Sequence, residues 1–219
     1  MSPASDPRLG LLAASRRVPA LVVVDVQRDF AEPERIAAYS PDDDAMAAVE
    51  SAVAHTAALV ARARETGVRV VWVELGSDPA HPWGSSNWLR GGDLAGAMPD
   101  DEPCRIGTEG AQWYGLGPAH DEIRIVKRHY SGFLGTNLAD RLTGVGAEWL
   151  TVVGLTSECC VAATAEDAMQ LGWPVVVASD ATAAYDLDVN DAALRALELN
   201  VGVVCPSSDV VDAWERVAG

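Results

Sequence analysis

Six short runs rich in Val, Ile and Leu recur along the chain, each separated from the next by a longer stretch. The first, "ALVVVDV" (Ala20 to Val26), is β-branched and shows no polar alternation, so it reads as a strand buried on both faces. "DDAMAAVESAVAHTAALVARARETG" follows, with acids in its first turn, good helix formers throughout and Gly67 at its end, which predicts one long helix. "VRVVWVEL" (Val68 to Leu75), "IRIV", "WLTVVGL", "PVVVASD" and "VGVVC" supply the other strands. "NLADRLTGVG", "CVAATAEDAMQLG", "VNDAALRALELN" and "SDVVDAWERVA" read as the helices between and after them. This alternation predicts an α/β fold, a three-layer α/β/α arrangement around a six-stranded parallel sheet covered on both faces. Residues 76–121 interrupt the pattern: they are rich in Gly, Pro and Trp and hold no period. A loop of that length in a compact domain usually covers or lines a site.

With 219 residues, 49% of them hydrophobic, the chain is long enough for one sizeable core, and no composition shift marks a second. A single domain over residues 1–219 is expected, with residues 1–18 as an N-terminal extension. The net charge of -16 and pI near 4.4 leave few cations for neutralising phosphates, so neither nucleic acid nor an anionic membrane surface is expected as a partner. Four cysteines, two of them adjacent, do not make a disulfide framework and fit free thiols in a reducing compartment. No export signal opens the chain and no run reaches the length of a membrane span, so a soluble, cytoplasmic protein is expected. No Gly-x-Gly-x-x-Gly follows the first strand and there is no Gly-Lys-Ser/Thr loop, which counts against a nucleotide site.

In open α/β sheets, ligands bind beyond the carboxyl ends of the strands. The first run ends in Asp25, the third in Lys127, and the fourth leads through a short turn to Cys159 and Cys160. A carboxylate, an ammonium and a thiol thus fall on one edge of one sheet. Singly, each has an ordinary reading: Asp25 as a turn cap, Lys127 as a solvated strand end, a cysteine as a small packing residue. Together they supply what thiol-based hydrolysis requires. A thiol near its free pKa of about 8.5 is mostly protonated at neutral pH, and a neighbouring cation, here Lys127, lowers that value. A carboxylate in reach takes the thiol proton and later delivers it to a leaving amine, the part open to Asp25. Between the two thiols, the stripe of Val161, Ala165 and Ala168 has a helix under way by Cys160, with Cys159 pointing about 100° away. An adjacent Cys-Cys disulfide is geometrically strained, which disfavours a redox role for the pair.

"LVVVDVQRDF", "VKRHYSGFLGTNL" and "VVGLTSECCVAATAEDAMQLGWPVVVASDATAAYD" together resemble the isochorismatase-like cysteine hydrolases, which include nicotinamidases, N-carbamoylsarcosine amidases and ureidoacrylate amidohydrolases. The likeness runs in order from Pro19 to Pro206, and residues 76–121 match poorly. It implies a catalytic triad of Asp25, Lys127 and Cys160. It also implies a cis peptide before Thr156, an oxyanion hole from the N–H groups of Thr156 and Cys160, and a homo-oligomer, dimer or tetramer. Nicotinamidases carry an Asp and His metal cluster after strand two, whereas this chain has Glu74 with only Asp78 and His81 nearby. No metal and no cofactor are therefore expected, and nicotinamide is not the expected substrate.

The resemblance implies a cysteine hydrolase that cleaves a C–N bond of a small amide or N-carbamoyl (ureido) compound through a thioester. A small-molecule substrate and water would be its partners. One alternative is an isochorismatase-type vinyl ether hydrolase using Asp25 without the thiol; another is a non-catalytic small-molecule binding protein. Phe30, Trp83, Trp88, Trp113, Tyr130 and Phe133 are the candidate substrate contacts. The loop aromatics, Tyr114 included, serve either as an apolar substrate wall or as pins for the loop, and His129 is open to a pocket or a packing role. Arg90, Arg105 and Arg128 are candidates for a bidentate grip on a carboxylate, or plain surface charges. Cys104 and Cys205 read as packing residues, and His55 and His120 have no partner at metal-ligand spacing.

Overall fold

The computed structural model describes residues 6–218. Its strands are β1 (Pro19–Val24), β2 (Arg69–Leu75), β3 (Ile123–Lys127), β4 (Trp149–Leu155), β5 (Val175–Ala183) and β6 (Val203–Cys205). All neighbours pair in parallel, in the spatial order β3-β2-β1-β4-β5-β6. The chain winds outward from β1 to β3, then crosses back to β4 and winds outward the other way. The crevice between β1 and β4 is therefore the topological switch point, where open α/β sheets take their ligands.

In chain order the helices begin with α1 (Pro7–Ala14), the short α2 (Arg28–Ala31) and α3 (Pro33–Ile36), α4 (Asp43–Thr66) and α5 (Gly84–Leu89). They continue with α6 (Leu138–Gly144), α7 (Ala162–Gln170), α8 (Leu187–Asn200) and α9 (Ser207–Ala218). The two faces of β1 explain why it is apolar throughout. Leu21 and Val23 pack into one core with Leu9 of α1, Val49 and Leu59 of α4 and Val210 and Trp214 of α9. Ala20, Val22 and Val24 pack into a second with Leu138 and Leu142 of α6, Ala165 and Ala168 of α7 and Leu197 of α8. Each face thus needs its own apolar set, and a strand between two helical layers cannot alternate.

The long helix α4 begins and ends as its sequence requires. Asp42 caps it by accepting from the Ala45 N–H at 2.8 Å, and Gly67 closes it in the left-handed conformation, φ +77°. Two features depart from the sequence reading. The N-terminal extension contains α1, capped by Asp6 through the Arg8 N–H at 2.7 Å and seated on the core through Leu9 and Ala13. Strand β5 runs to Ala183, beyond the end at Asp180 that its apolar run suggests, because its register shifts: Val152 faces Val177, but Gly154 faces Thr182. The irregular stretch presents Asp180 to the start of α9, where it accepts from the Ser207 N–H and hydroxyl, each at 2.8 Å.

Residues 76–121 are irregular apart from α5 and a 3-10 turn at Glu109–Ala111, and are tied down by bridges between Gln27 and Trp113 and between Ser77 and Arg105. Among the described residues no helix is long and apolar enough to cross a membrane.

Candidate active site

Three strand ends build the site. The chain leaves β1 at Asp25 with φ +51°, a left-handed conformation that Asp tolerates better than most residues, while its N–H still donates to the Val73 carbonyl at 2.8 Å. Beside it, β4 passes so close that a Cβ on Gly154 would stand 1.9 Å from the Val24 oxygen, and its φ is +114°. Only glycine fits there. Lys127 is the last residue of β3. Cys160 lies in a π-type turn, Ser157–Val161, so the α-helix proper starts at Ala162, later than the sequence stripe suggests. Such wide turns occur often at functional sites. The Leu155–Thr156 peptide that leads into the turn is cis. The Thr156 carbonyl accepts from the N–H groups on either side of Cys160, those of Cys159 at 3.2 Å and Val161 at 3.1 Å.

The Lys127 ammonium joins the other two groups. Its Nζ lies 2.7 Å from Asp25 Oδ2 and donates to Cys160 Sγ at 3.3 Å and to the His129 carbonyl at 3.0 Å. Asp25 and Lys127 are fully buried and Cys160 nearly so. Among the described residues neither Asp25 oxygen has a hydrogen-bond partner of ordinary geometry, so the carboxylate keeps lone pairs open to a proton. Burial raises the Asp25 pKa above its ordinary value, with the Lys127 charge pulling the other way. Burial also opposes the Lys127 charge, but the Asp25 carboxylate and Cys160 outweigh it and the ammonium is held firmly protonated. The Cys160 thiol is pushed up by interaction with the Cys159 thiol, by burial and by the Asp25 carboxylate, against the pull of Lys127. The expected lowering by a neighbouring cation is thus outweighed by the Cys159 contact, burial and the Asp25 carboxylate.

Gln27 and helix α7 hold this arrangement in register. The Gln27 side chain donates to the Leu75 and Ala111 carbonyls, both at 2.9 Å, and accepts from the Leu75 N–H at 2.8 Å, tying the β1 exit to β2 and the long loop. From α7, Asp167 accepts from the Ser131 hydroxyl at 2.5 Å and Thr164 from the Gly132 N–H at 2.9 Å. The helix that follows the thiol therefore grips the segment that follows Lys127.

Cys160 sits at the wall of a cavity of about 500 Å³. Phe30, Trp83 and Tyr130 line it, as do Thr156 and Cys159. Three other expected contacts lie elsewhere. Trp113 packs edge-on against Trp72 of β2, centroids 4.7 Å apart, so it pins the loop to the core. Phe133 stacks on Trp173, centroids 5.8 Å apart, and packs against the core that contains Cys160 rather than lining the cavity. Trp88 projects from α5 into solvent, 64% exposed. Tyr114 packs against the core as well. Of the arginines, Arg90 and Arg128 line the cavity, Arg90 bound to Glu102 at 2.7 Å, while Arg105 is paired with Asp100 at a neighbouring cavity. His129 contributes its carbonyl to Lys127 and packs its ring on Trp83. Cys104 and Cys205 are buried, and burial pushes the Cys205 thiol up to about 12.

Tyr39, Tyr185 and Glu158 also line the cavity, and the sequence reading missed them. Tyr39 and Tyr185 stack in parallel, centroids 4.6 Å apart. The rule of strand carboxyl ends points to Tyr185 once β5 is known to reach Ala183; ending that strand at Asp180 hid it. Asp78 accepts from His81 Nδ1 at 2.7 Å, and among the described residues no group of three or more His, Cys, Asp or Glu is placed to hold a metal ion. Two mutually bonded side chains do not fit an Asp and His metal cluster, and no step is assigned to a metal.

A model of the Isochorismatase domain matches residues 19–209. The chain belongs to the isochorismatase family. Its relatives include the maleamate amidohydrolase of Pseudomonas putida, 28% identical over 203 residues that cover 93% of this chain and 90% of that protein. The ureidoacrylate amidohydrolase RutB of Methylobacterium radiotolerans is 31% identical over 209 residues, 91% of this chain and 79% of the relative. Among solved structures, an isochorismatase family protein from Desulfovibrio vulgaris is similar with a TM-score of 0.73 and 30% identity, covering 91% of this chain and 100% of its own. The N-carbamoylsarcosine amidase of Thermoplasma acidophilum is similar with a TM-score of 0.67 and 26% identity, covering 87% and 96%. The family match spans the stretch over which the three motif blocks run in order, with Asp25, Lys127 and Cys160 inside it.

Proposed function

We propose that this isochorismatase family member is a cysteine hydrolase that cleaves the C–N bond of a small amide or N-carbamoyl compound through a thioester. The observation that carries the reading is the single buried ammonium of Lys127, which meets the carboxylate of Asp25 and the thiol of Cys160 at the wall of a cavity. Relatives named for amide hydrolysis support it. Asp25 takes the Sγ proton as sulfur attacks the substrate carbonyl carbon, and the carbonyl electron pair moves to oxygen. We assign the N–H groups of Thr156 and Cys160 to that oxyanion; preorganised donors of this kind are worth about 3 kcal/mol each in the transition state. The C–N bond breaks, the Asp25 proton passes to the leaving nitrogen, and ammonia or an amine departs. Water then gives a proton to Asp25 and its oxygen to the thioester carbon, the C–S bond breaks, and the proton returns to sulfur. Lys127 stays protonated throughout and keeps acid and thiol in register.

The raised proton affinity of Asp25 would equally serve protonation of a vinyl ether, a route that needs no thiol. Substitution separates the two. Cys160→Ala should abolish amide turnover, and Cys160→Ser should leave at most about one part in a thousand, given the poor activation of a hydroxyl. If Cys160→Ala retains turnover, the thioester route is refuted, and an ether substrate turned over by that variant would establish the other.

A further inference from the structure

The amide-hydrolase reading leaves open what the non-reacting end of the substrate is, and the charge balance of the cavity bears on it. Four carboxylates line the cavity, those of Asp78, Asp101, Glu102 and Glu158, against two guanidiniums, of Arg90 and Arg128. Arg90 is committed to Glu102 at 2.7 Å, and Asp78 accepts from His81. Among the described residues, Asp101 and Glu158 form an ion pair with no Arg or Lys. Glu158, exposed to solvent as Asp101 is, accepts from the neutral Thr156 hydroxyl at 2.8 Å and has no cation beside it, two residues from Cys160. The neighbouring cavity, about 330 Å³, shares Tyr39, Asp101 and Glu102 with the first; there Arg35 pairs with Asp29 and Arg105 with Asp100, which again leaves Asp101 over.

The apolar part of the wall is aromatic. Tyr39 and Tyr185 stack in parallel at 4.6 Å, Tyr185 being fixed by donating its hydroxyl to the Phe30 carbonyl at 3.0 Å. Trp83 and Tyr130 meet edge to face at 4.8 Å. Aromatic faces carry negative potential and attract cations, most strongly where water is excluded. Aromatic rings next to uncompensated carboxylates therefore favour a positive charge and repel a negative one. A carboxylate tail would find, among the described residues that line the cavity, only Arg128 outside an ion pair, and that guanidinium already acts on Asp78. The net charge of -16 adds a long-range field of the same sign.

We propose that the protein acts on amides whose distal end is cationic, an alkylammonium arm held against the ring faces with Glu158 and Asp101 as its counter-charges. The inference rests on the amide-hydrolase reading, and one substrate panel separates the two. ε-Aminohexanamide, hexanamide and adipamate present the same reacting amide on an arm ending in a cation, a methyl group or an anion. The expected order of kcat/KM is amine above alkyl above carboxylate, the amine exceeding the alkyl amide by about tenfold or more at low salt. Raising the ionic strength should shrink that ratio, since part of the attraction is screened. Glu158→Gln and Asp101→Asn should each reduce the amine-to-alkyl ratio, which is read within each variant and so is independent of any general loss of activity. Turnover with a ratio at or below one overturns the cationic-end assignment while leaving amide hydrolysis in place. A high ratio untouched by both substitutions overturns the roles of Glu158 and Asp101. If none of the three amides is turned over or leaves an acyl group on Cys160, the amide-hydrolase reading fails for amides of this form and the inference falls with it.

Discussion

The Cys160 thiol, its pKa raised, lies beside the close Asp25–Lys127 pair, which bears on when each proton moves in the proposed reaction. A raised thiol pKa favours protonated sulfur, so in the proposed mechanism Asp25 acts as base during attack. In that mechanism Asp25 works only when ionised, and burial raises its pKa above the usual carboxylate value of about 3.9. The acidic limb of the kcat/KM profile should therefore inflect above that value, with activity rising as pH increases through it. Asp25→Asn should lower turnover about 10²- to 10⁴-fold and remove that limb, measured by initial rates across pH. The sign for stability is opposite: an acid whose folded pKa is raised favours the fold at low pH, and that contribution is lost as pH rises through the folded pKa. Lys127→Met exposes the same physics by leaving the buried carboxylate without its cation. It should cost about 3–5 kcal/mol in urea unfolding at neutral pH, and less at a pH low enough to protonate Asp25. Both residues were legible as polar ends of apolar runs; the direction of the thiol shift was not, because it depends on burial and on the Cys159 contact, which spacing does not reveal.

At the scale of elements, α7 connects two parts of the site that are far apart in sequence. Its first residues follow Cys160, and its Asp167 and Thr164 hold the Ser131–Gly132 segment beyond Lys127. Asp167→Ala should release that segment, so that the Lys127 ammonium no longer meets the thiol in one geometry. We expect kcat to fall about 10- to 100-fold, in line with the cost of ångström-scale misplacement, with KM little changed and the thermal midpoint lowered only modestly. Steady-state kinetics with a melting curve would check this, and an unchanged kcat would contradict the clamp. The strands and longer helices follow from periodicity and caps: α4 runs from the residue after Asp42 to the residue before Gly67, as its sequence signals. Strand β5 does not end where its apolar run does, because the irregularity opposite Val152 and Gly154 is a property of pairing with β4. Helix α1 is a single short stretch whose two buried residues gain meaning only against α9.

For the whole molecule, the sheet order turns two sequence-distant strand ends into neighbours, since β1 lies between β2 and β4. Lys127 ends β3, on the far side of β2 from β1, and its Nζ still reaches Asp25 Oδ2 at 2.7 Å, so the polar ends of three apolar runs meet at one edge. The cavity wall was only half legible. Phe30, Trp83 and Tyr130 face it, but Trp113, Phe133 and Trp88 do not, because an aromatic residue in an aperiodic loop carries no sign of which surface it meets. In the proposed reaction this edge of the sheet does covalent chemistry at one sulfur. Rapid quenching during turnover of a slow amide, followed by mass spectrometry of the peptide containing Cys159 and Cys160, tests it most directly. The expected result is an added mass equal to the substrate acyl group on Cys160, absent from Cys160→Ala; turnover with no such adduct and undiminished in Cys160→Ala rules out chemistry at this sulfur.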